Sequence, residues 1–430
     1  MSAISIFSVL FLILLIAVPI AASLGLTSVF TVLFSDVHVG MDYIVRTMAT
    51  ALDSYTLIAI PMFIFAGNLM AKGGISERLF NIFIVLVGKR TGGIPTAAIL
   101  TCLFFGAISG SAPATVAAVG AMAIPTMINL GYNKGFSTAM VATAGGLGVI
   151  IPPSIPFIVY GTSAGVSVGD LFIAGILPGV LIALCLIGYS YYYCKTKGED
   201  KERILAVYNE ITDKGIFKVF INGFWALLTP VIILGGIYSG IVTPTEASVV
   251  AVIYSYIVSA FIYRTINRKN FVQITVDSVK TTVPILFIVA AATVFGKILT
   301  LIQLPQTVSN AMISLTDNPV LILLIIVLIL LIIGMFMETL AAILILTPIF
   351  LPIAIQMGID PIHFGIIMVV ALAIGFVTPP VGMNLFVASS LTGLSILEIG
   401  RKSIPFIVAF LIALVLIMYI PQISLILVGN

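Results

Sequence analysis

The sequence predicts an all-α polytopic membrane protein, organised as an inverted repeat with two re-entrant helical hairpins and two discontinuous helices. Three observations carry that prediction. Of 430 residues 61% are hydrophobic and 8% charged, and the mean hydropathy is +1.27. Glycines and prolines coincide when the chain is shifted on itself by 227 positions. Finally, almost all basic residues fall on one side when the apolar runs are made to alternate across a membrane. Soluble domains carry about 25% charged residues, and 19 Lys/Arg with 16 Asp/Glu cannot clothe a water-facing surface on a chain of this length. That excludes a soluble enzyme, a disordered chain, a nucleic-acid binder and a disulfide scaffold. Cys102, Cys185 and Cys194 have no Cys-x-x-Cys spacing, and His38 and His363 are too few for a haem pair or a His-rich metal site.

From the N-terminus, the apolar run from Ile4 to Phe34 lacks a basic n-region and is too long for a signal h-region, so it is read as retained. Pro19 leaves one span or two short helices open. Runs of spanning length fall near 54–71, 136–162, 170–194, 222–242, 246–263, 281–301, 362–390 and 404–428. The stretches 93–128 and 320–357 contain Gly or Pro and no charge except Glu338. A helix of about 15 residues reaches only about 22 Å, so each stretch is predicted to enter and leave on one side. The amphipathic segments 75–88 and 302–316 are too short and polar to span and are predicted to be interfacial arms.

Eleven charged residues crowd into Lys195–Lys218. If that stretch is cytoplasmic, alternation puts 17 of the 19 basic residues on the same side, with Arg46 and Lys297 the exceptions. The opposite face then carries Asp36, Asp42, Asp53, Asp170, Asp317 and Asp360. The shift by 227 places Pro125 on Pro352, Gly131 on Gly358, Gly148 on Gly375, Pro152–Pro153 on Pro379–Pro380 and Pro178 on Pro405. Residues 1–195 form the first copy, with a hairpin at about 91–130 and a broken helix at about 136–162. Residues 196–227 are a cytoplasmic connector. Residues 228–430 form the second copy, with a hairpin at about 318–357 and a broken helix at about 360–390. Antiparallel copies with broken helices at mid-membrane are the architecture of secondary transporters.

The candidate chemistry sits at the breaks. The first hairpin carries Gly106-Ala-Ile-Ser109-Gly110-Ser111-Ala-Pro113-Ala-Thr115, and the next span carries Gly145-Gly-Leu-Gly148 and Pro152-Pro153-Ser154. The second copy offers Gly334 to Thr339 at its tip, then Gly375, Thr378-Pro379-Pro380, Gly382 and Asn384. Proline removes a donor and clashes with the preceding turn. In lipid, the freed backbone groups persist only where protein or a wet cavity meets them. Freed carbonyls with Ser and Thr hydroxyls suit a small hard cation such as sodium, and half-helix N-termini suit a carboxylate. Glu338, ionisable inside an apolar stretch, is a functional candidate by default. Each feature has a plainer reading. Gly106-x-x-x-Gly110 also fits a packing seam, Lys297 also fits a snorkelling cation, and His363 marks an interface. Gly161-Thr-Ser163-Ala-Gly165 matches a hydrolase nucleophile pattern but has neither the strand nor the His/Asp partner that pattern needs.

These residues resemble the large membrane subunit of tripartite ATP-independent periplasmic (TRAP) transporters, including its sialic-acid type. The resemblance covers essentially the whole chain. It is carried by Gly73-Gly-Ile-Ser-Glu-Arg78, Gly106-Ala-Ile-Ser-Gly-Ser111, Ile151-Pro-Pro-Ser-Ile-Pro156, Gly240-Ile-Val-Thr-Pro-Thr-Glu246, Asp360-Pro-Ile-His-Phe-Gly365 and Thr378-Pro-Pro-Val-Gly-Met-Asn-Leu-Phe386. Where the family commonly has an acidic residue followed by Pro-Thr, this chain has Glu338-Thr339-Leu340. The resemblance implies an elevator-type secondary transporter of the ion transporter superfamily in the bacterial inner membrane. It implies sodium-driven uptake of an organic acid anion such as sialic acid or a C4-dicarboxylate. The implied partners are a periplasmic substrate-binding protein, a small four-span membrane subunit and membrane lipid; no nucleic acid and no organic cofactor is implied.

By position, one sodium ion would take Ser109, Gly110, Ser111, Pro113 and Thr115 with Gly148, Pro152 and Ser154. A second would take Glu338 and Thr339 with Gly375, Thr378, Pro379, Gly382 and Asn384. The anion would lie between the tips, near Ser109, Ser111, Ser154, Glu338 and Asn384. The chain has no Gly-x-x-x-x-Gly-Lys-Ser/Thr phosphate loop, in keeping with an ion-driven transporter. A stand-alone sodium-coupled anion transporter would share these features. A membrane-embedded enzyme would have only Glu338 and Lys297 to work with.

Overall fold

A computed structural model describes residues 3–35, 39–213, 215–316 and 318–429; Asp36, His38, Lys214 and Asp317 lie outside them. The described residues form twenty-one α-helices and no strand. Eight helices among them are long and apolar enough to cross a membrane.

The N-terminal run is two helices, α1 (Ala3–Leu15) and α2 (Ile20–Phe34), parted where Ala17 takes a φ of 61° and Pro19 stands at the start of α2. α3 (Met41–Leu52) and α4 (Ala59–Lys72) are joined by a 3₁₀ turn, Tyr55–Ile58. Then come an arm, α5 (Ile75–Val87), and a hairpin of α6 (Gly93–Ser109) and α7 (Ala112–Asn129). A broken helix follows as α8 (Lys134–Ala144) and α9 (Ile155–Ala164). α10 (Val168–Lys197) and the polar α11 (Lys201–Asp213) lead to α12 (Ile216–Tyr238), α13 (Pro244–Ile257) and α14 (Arg268–Leu301). A second arm, α15 (Leu304–Leu315), precedes a second hairpin, α16 (Pro319–Gly334) and α17 (Thr339–Gln356). A second broken helix, α18 (Pro361–Gly375) and α19 (Met383–Thr392), is followed by α20 (Ile396–Tyr419) and the short α21 (Gln422–Leu425).

Local chemistry sets these boundaries. Pro113, Pro156, Pro244, Pro305, Pro319 and Pro361 stand in first turns, where a missing N–H costs nothing. Asn133, Ser154, Ser167, Thr243, Asn267 and Ser395 cap helices with side-chain oxygens. The 227-residue offset recurs in the elements. Ala112 and Thr339 begin α7 and α17, Asn129 and Gln356 end them, and Lys134 and Pro361 begin α8 and α18. Shifted likewise, α3 and α4 together overlie α14, which runs straight where the earlier pair is interrupted between Leu52 and Ala59.

The elements depart from the sequence expectations in several places; α12 begins at Ile216 and α20 covers Ile396–Tyr419, each starting six to eight residues early. α14 begins at Arg268, capped by the Asn267 side chain, rather than near 281; hydropathy misses its first turns because they carry Arg268, Lys269, Asn270, Gln273, Asp277 and Lys280. At 34 residues it is about 51 Å long, well beyond a core of about 30 Å. α3 escaped hydropathy because Asp42 and Arg46 interrupt it. The hairpin arms have 16 to 18 residues rather than 15, since α7 and α17 run on through internal prolines.

Two packed groups, joined where α5 lies on α6 and α14 on α17, position the site. α14 lies against α2, α3 and α4, α4 against α13, and α12 against α5 and α13. Lys72 pairs with Asp277 at 2.7 Å, and Asn68 donates to Ser278 at 2.8 Å, tying α4 to α14. In the other group, α7 packs on α8 and α19, α17 on α9 and α18, α16 on α18, and α10 on α20. α8 and α18 are buried along nearly all their length, so the first arms of the broken helices run through the middle, whereas α19 buries only Asn384, Leu385 and Ala388. The connector is fastened to the first hairpin at both ends: Glu199 accepts from the Gly92 N–H at 3.0 Å and from the Tyr132 hydroxyl. Burial and that bond push the Tyr132 phenol up.

Candidate functional site

The first hairpin turns at Ser109–Ser111. Gly110 takes a φ of 60° and donates to the Gly106 carbonyl at 2.9 Å, closing α6; a left-handed cap of this kind favours glycine. Three oxygens then converge. Ser109 Oγ lies 2.9 Å from Thr115 Oγ1. Thr115 Oγ1 donates to the Ser111 carbonyl at 2.8 Å, and Ser109 Oγ donates to the same carbonyl at 3.3 Å. The Ser111 hydroxyl does not cap α7.

The first break presses onto this turn. α8 gives way to a 3₁₀ turn, Gly145–Val149, and Gly148 faces the tip. A Cβ on Gly148 would fall on Thr115 Oγ1 and 2.7 Å from the Ser111 oxygen, and one on Gly106 would lie 2.7 Å from Gly148 Cα. A Cβ on Gly110 would lie 2.9 Å from the Pro153 carbonyl oxygen. Ser154 caps α9, accepting from the Phe157 N–H at 3.3 Å, and its hydroxyl donates to the Val149 carbonyl at 2.5 Å. The structure therefore brings together Ser109, Gly110, Ser111, Thr115 and Gly148, with Ser154 adjoining through Pro153. Pro113 starts α7 and the buried Pro152 shapes the break through a cis bond to Pro153; no hydrogen bond among the described residues joins either to the converging oxygens.

At the second tip Glu338 is the N-cap of α17, its Oε2 accepting from the Leu340 N–H at 2.9 Å and the Ala341 N–H at 3.3 Å. Thr339 Oγ1 is buried with no partner among the described residues. The second break meets the tip backbone to backbone: a Cβ on Gly375 would fall on Gly334. Gly382, at a φ of 57°, donates to the Met335 carbonyl at 3.4 Å, and Asn384 N–H bonds the Phe376 carbonyl at 3.0 Å. Thr378 Oγ1 donates to the Ile374 carbonyl at 2.8 Å, and Pro379, cis to Pro380, packs on Gly400 of α20.

Asn384 does more than the sequence placed on it. Its Nδ2 donates to the Ala142 carbonyl in α8 at 2.9 Å, and its Oδ1 is buried without a partner among the described residues. In the opposite sense, the buried Tyr160 of α9 donates from its hydroxyl to the Pro361 carbonyl of α18 at 2.6 Å. The second arm of each broken helix thus reaches the first arm of the other. Sequence reasoning missed Tyr160 and Ala142. The one trace is Gly365 in mid-helix, where a Cβ would come within 2.6 Å of the Tyr160 ring.

A space opens between the two packed groups, a cavity of about 430 Å³ walled by α3, α9, α14 and α17, with Lys297, Thr162 and Ser163 on its lining. The hydrolase-like Ser163 lies here on a helix end.

Apolar helices arranged as two hairpins against two interrupted helices define a polytopic membrane transporter rather than an enzyme. The family described as "Tripartite ATP-independent periplasmic transporter, DctM component" matches residues 7–423, and the chain belongs to that family of multi-pass inner-membrane permeases. It is 46% identical over 97% of its length to the isethionate TRAP transporter permease protein DctMQ of Oleidesulfovibrio alaskensis, and spans 65% of that protein. It is 43% identical to the C4-dicarboxylate TRAP transporter large permease protein DctM of Pseudomonas aeruginosa, covering 94% of this chain and 93% of that one. It is 36% identical to the sialic acid TRAP transporter large permease protein SiaM of Vibrio cholerae, covering 90% of each. The fold is also similar to the YdaH transporter of Alcanivorax borkumensis, with a TM-score of 0.59, 14% identity and 89% of each chain covered.

Proposed function

We propose that this chain imports an organic acid anion by sodium-driven symport, receiving it from a periplasmic binding protein and working with a small membrane subunit. The observation that carries the reading is the first tip, where Ser109 Oγ, Thr115 Oγ1 and the Ser111 carbonyl gather against Gly148. Neutral oxygens of this kind replace the hydration shell of a hard monovalent cation. The unpartnered Thr339 Oγ1 and Asn384 Oδ1 supply further acceptors in the second half. The relatives named for isethionate, C4-dicarboxylates and sialic acid share the carboxylate or sulfonate anion that helix N-termini at the two tips would hold.

In this reading the copies are inverted, the hairpins are re-entrant, and hairpins and broken helices move together as an elevator against α12–α14. The cross-bonds from Asn384 and Tyr160 support a single moving body. The test is uptake into proteoliposomes containing this chain, the small subunit and the binding protein. Uptake is expected to require external sodium and to rise with a negative interior, since each net charge moved inward gains about 2.3 kcal/mol per 100 mV. Equal uptake in potassium buffer without a sodium gradient sinks the proposal.

The serines divide by what they already hold. Ser154→Ala removes a cap and is expected to cost about 1 kcal/mol of stability. Ser111→Ala keeps the carbonyl and loses a hydroxyl that caps nothing, so it is expected to melt as wild type while sodium-dependent uptake falls. Unchanged sodium dependence in Ser111→Ala would show that its hydroxyl only packs.

A further inference from the structure

We infer that the cytoplasmic end of α8, α10 and α20 is a binding site for one anionic phospholipid, its headgroup among Lys197, Arg401 and Lys402 and an acyl chain along α20. These three cations line a pocket of about 540 Å³ whose walls include Phe136, Tyr189 and Tyr193. Phe136 and Tyr193 stack at 3.8 Å, and Tyr189 meets Phe406 edge-on at 4.7 Å, so the pocket is built on fixed rings rather than on loose side chains. None of the three cations enters an ion pair among the described residues; the pairs found are Arg46–Asp42, Lys72–Asp277 and Arg203–Asp200. Of the nearby carboxylates, Asp200 is paired with Arg203; Glu199, held by the neutral Gly92 N–H and Tyr132 hydroxyl, and Glu398, in no ion pair among the described residues, keep their charge and are outnumbered by the three cations.

Further along the same face of α20, at the 3.6-residue spacing that carries Arg401 and Pro405 on to Val408 and Ile412, lies a separate, wholly apolar groove of about 270 Å³ formed by Val408, Leu411, Ile412, Val415 and Leu416. Val408 is 50% exposed and Ile412 54% exposed. From Pro405 at the pocket to Val415 in the groove the helix rises about 15 Å, about one leaflet of a hydrocarbon core roughly 30 Å thick. A cationic mouth at the basic-loop side of the membrane, followed along the same helix by an apolar groove, matches a lipid in charge and in length. Cytoplasmic basic pockets between helices recognise anionic headgroups in this way. A headgroup there would bridge the start of the first broken helix to α10 and α20. The inference rests on membrane placement and does not depend on sodium coupling.

The experiment uses the full chain purified in detergent, with bound lipid read by native mass spectrometry on titration with phosphatidylglycerol, phosphatidylcholine or inorganic phosphate. Phosphatidylglycerol is expected to bind as a single retained molecule and phosphatidylcholine not. K197Q/R401Q/K402Q is expected to weaken phosphatidylglycerol binding by at least roughly tenfold. Ile412→Trp, which fills the groove, is expected to weaken lipid without creating phosphate binding, and it keeps the test decisive should the triple variant misfold. Equal retention of phosphatidylcholine, or unchanged binding in both variants, overturns the inference. So does phosphate competing fully while Ile412→Trp has no effect, which would define a phosphate site. Loss of the lipid whenever the small subunit copurifies would show that a protein helix covers the groove, and would overturn it too.

Discussion

Gly375→Ala is expected to abolish transport and to lower the melting temperature of the purified protein sharply. The added carbon would fall on the main chain of Gly334, with Gly334 C, O and Cα all too close. Overpacking in a core costs about 1–3 kcal/mol when neighbouring side chains can yield. Here the obstacle is backbone, so α16 must slide on α18 and the cost lies at or above the top of that range. The first hairpin offers a comparable contact, one position out of the 227 register, since a Cβ on Gly106 would lie 2.7 Å from Gly148 Cα. Gly235→Ala in α12, where an added Cβ meets nothing within 4 Å, is the control. It is expected to be neutral or to stabilise by up to about 1 kcal/mol, through reduced freedom of the unfolded chain. Thermal melts in detergent and uptake at matched expression read both variants. Wild-type melting of Gly375→Ala would mean that the two helices are not in backbone contact.

The same contacts show why some of the architecture could be read along the chain and some could not. Prolines and glycines act on their own backbone, so Pro19, the Pro-Pro breaks and the 227-residue register of α7 with α17 are local facts that a sequence displays. α3 and the first turns of α14 were hidden because their charges lower hydropathy even though the helix continues. The identity of the tip residues was also legible: Ser109, Ser111, Thr115 and Gly148 do meet. What they meet with was not. Asn384 was placed with the second tip because its neighbours in sequence are there, yet its amide crosses to Ala142, 242 positions away. Nothing in either segment encodes that partner. Ser154 was read as a ligand from its place beside the Pro-Pro break and Glu338 from its charge inside an apolar stretch; each also caps the helix it precedes, a role that the turn geometry discloses.

Glu338 therefore joins an observed role, the cap of α17, to the proposed one at the cation, and substitution separates them. As N-cap of α17 its carboxylate satisfies two backbone N–H groups, at 2.9 and 3.3 Å, and faces the positive end of the helix. Both bonds go to Oε2, so the second oxygen is the one placed to serve a cation or a substrate donor. Glu338→Ala removes everything and is expected to cost about 1–2 kcal/mol of stability from the lost cap. Glu338→Gln keeps a carbonyl oxygen able to accept the same two bonds and is expected to stay within about 1 kcal/mol of wild type, the size of the charge–dipole contribution alone. Transport divides differently. A carboxylate about 4 Å from a cation gains roughly 4 kcal/mol at an effective dielectric constant near 20, so removing the charge is expected to weaken apparent sodium affinity by at least about tenfold in Gln and Ala alike. Initial uptake against sodium concentration, set beside thermal melts, distinguishes the roles. A Gln variant that melts and saturates with sodium as wild type does would leave Glu338 a helix cap and nothing more.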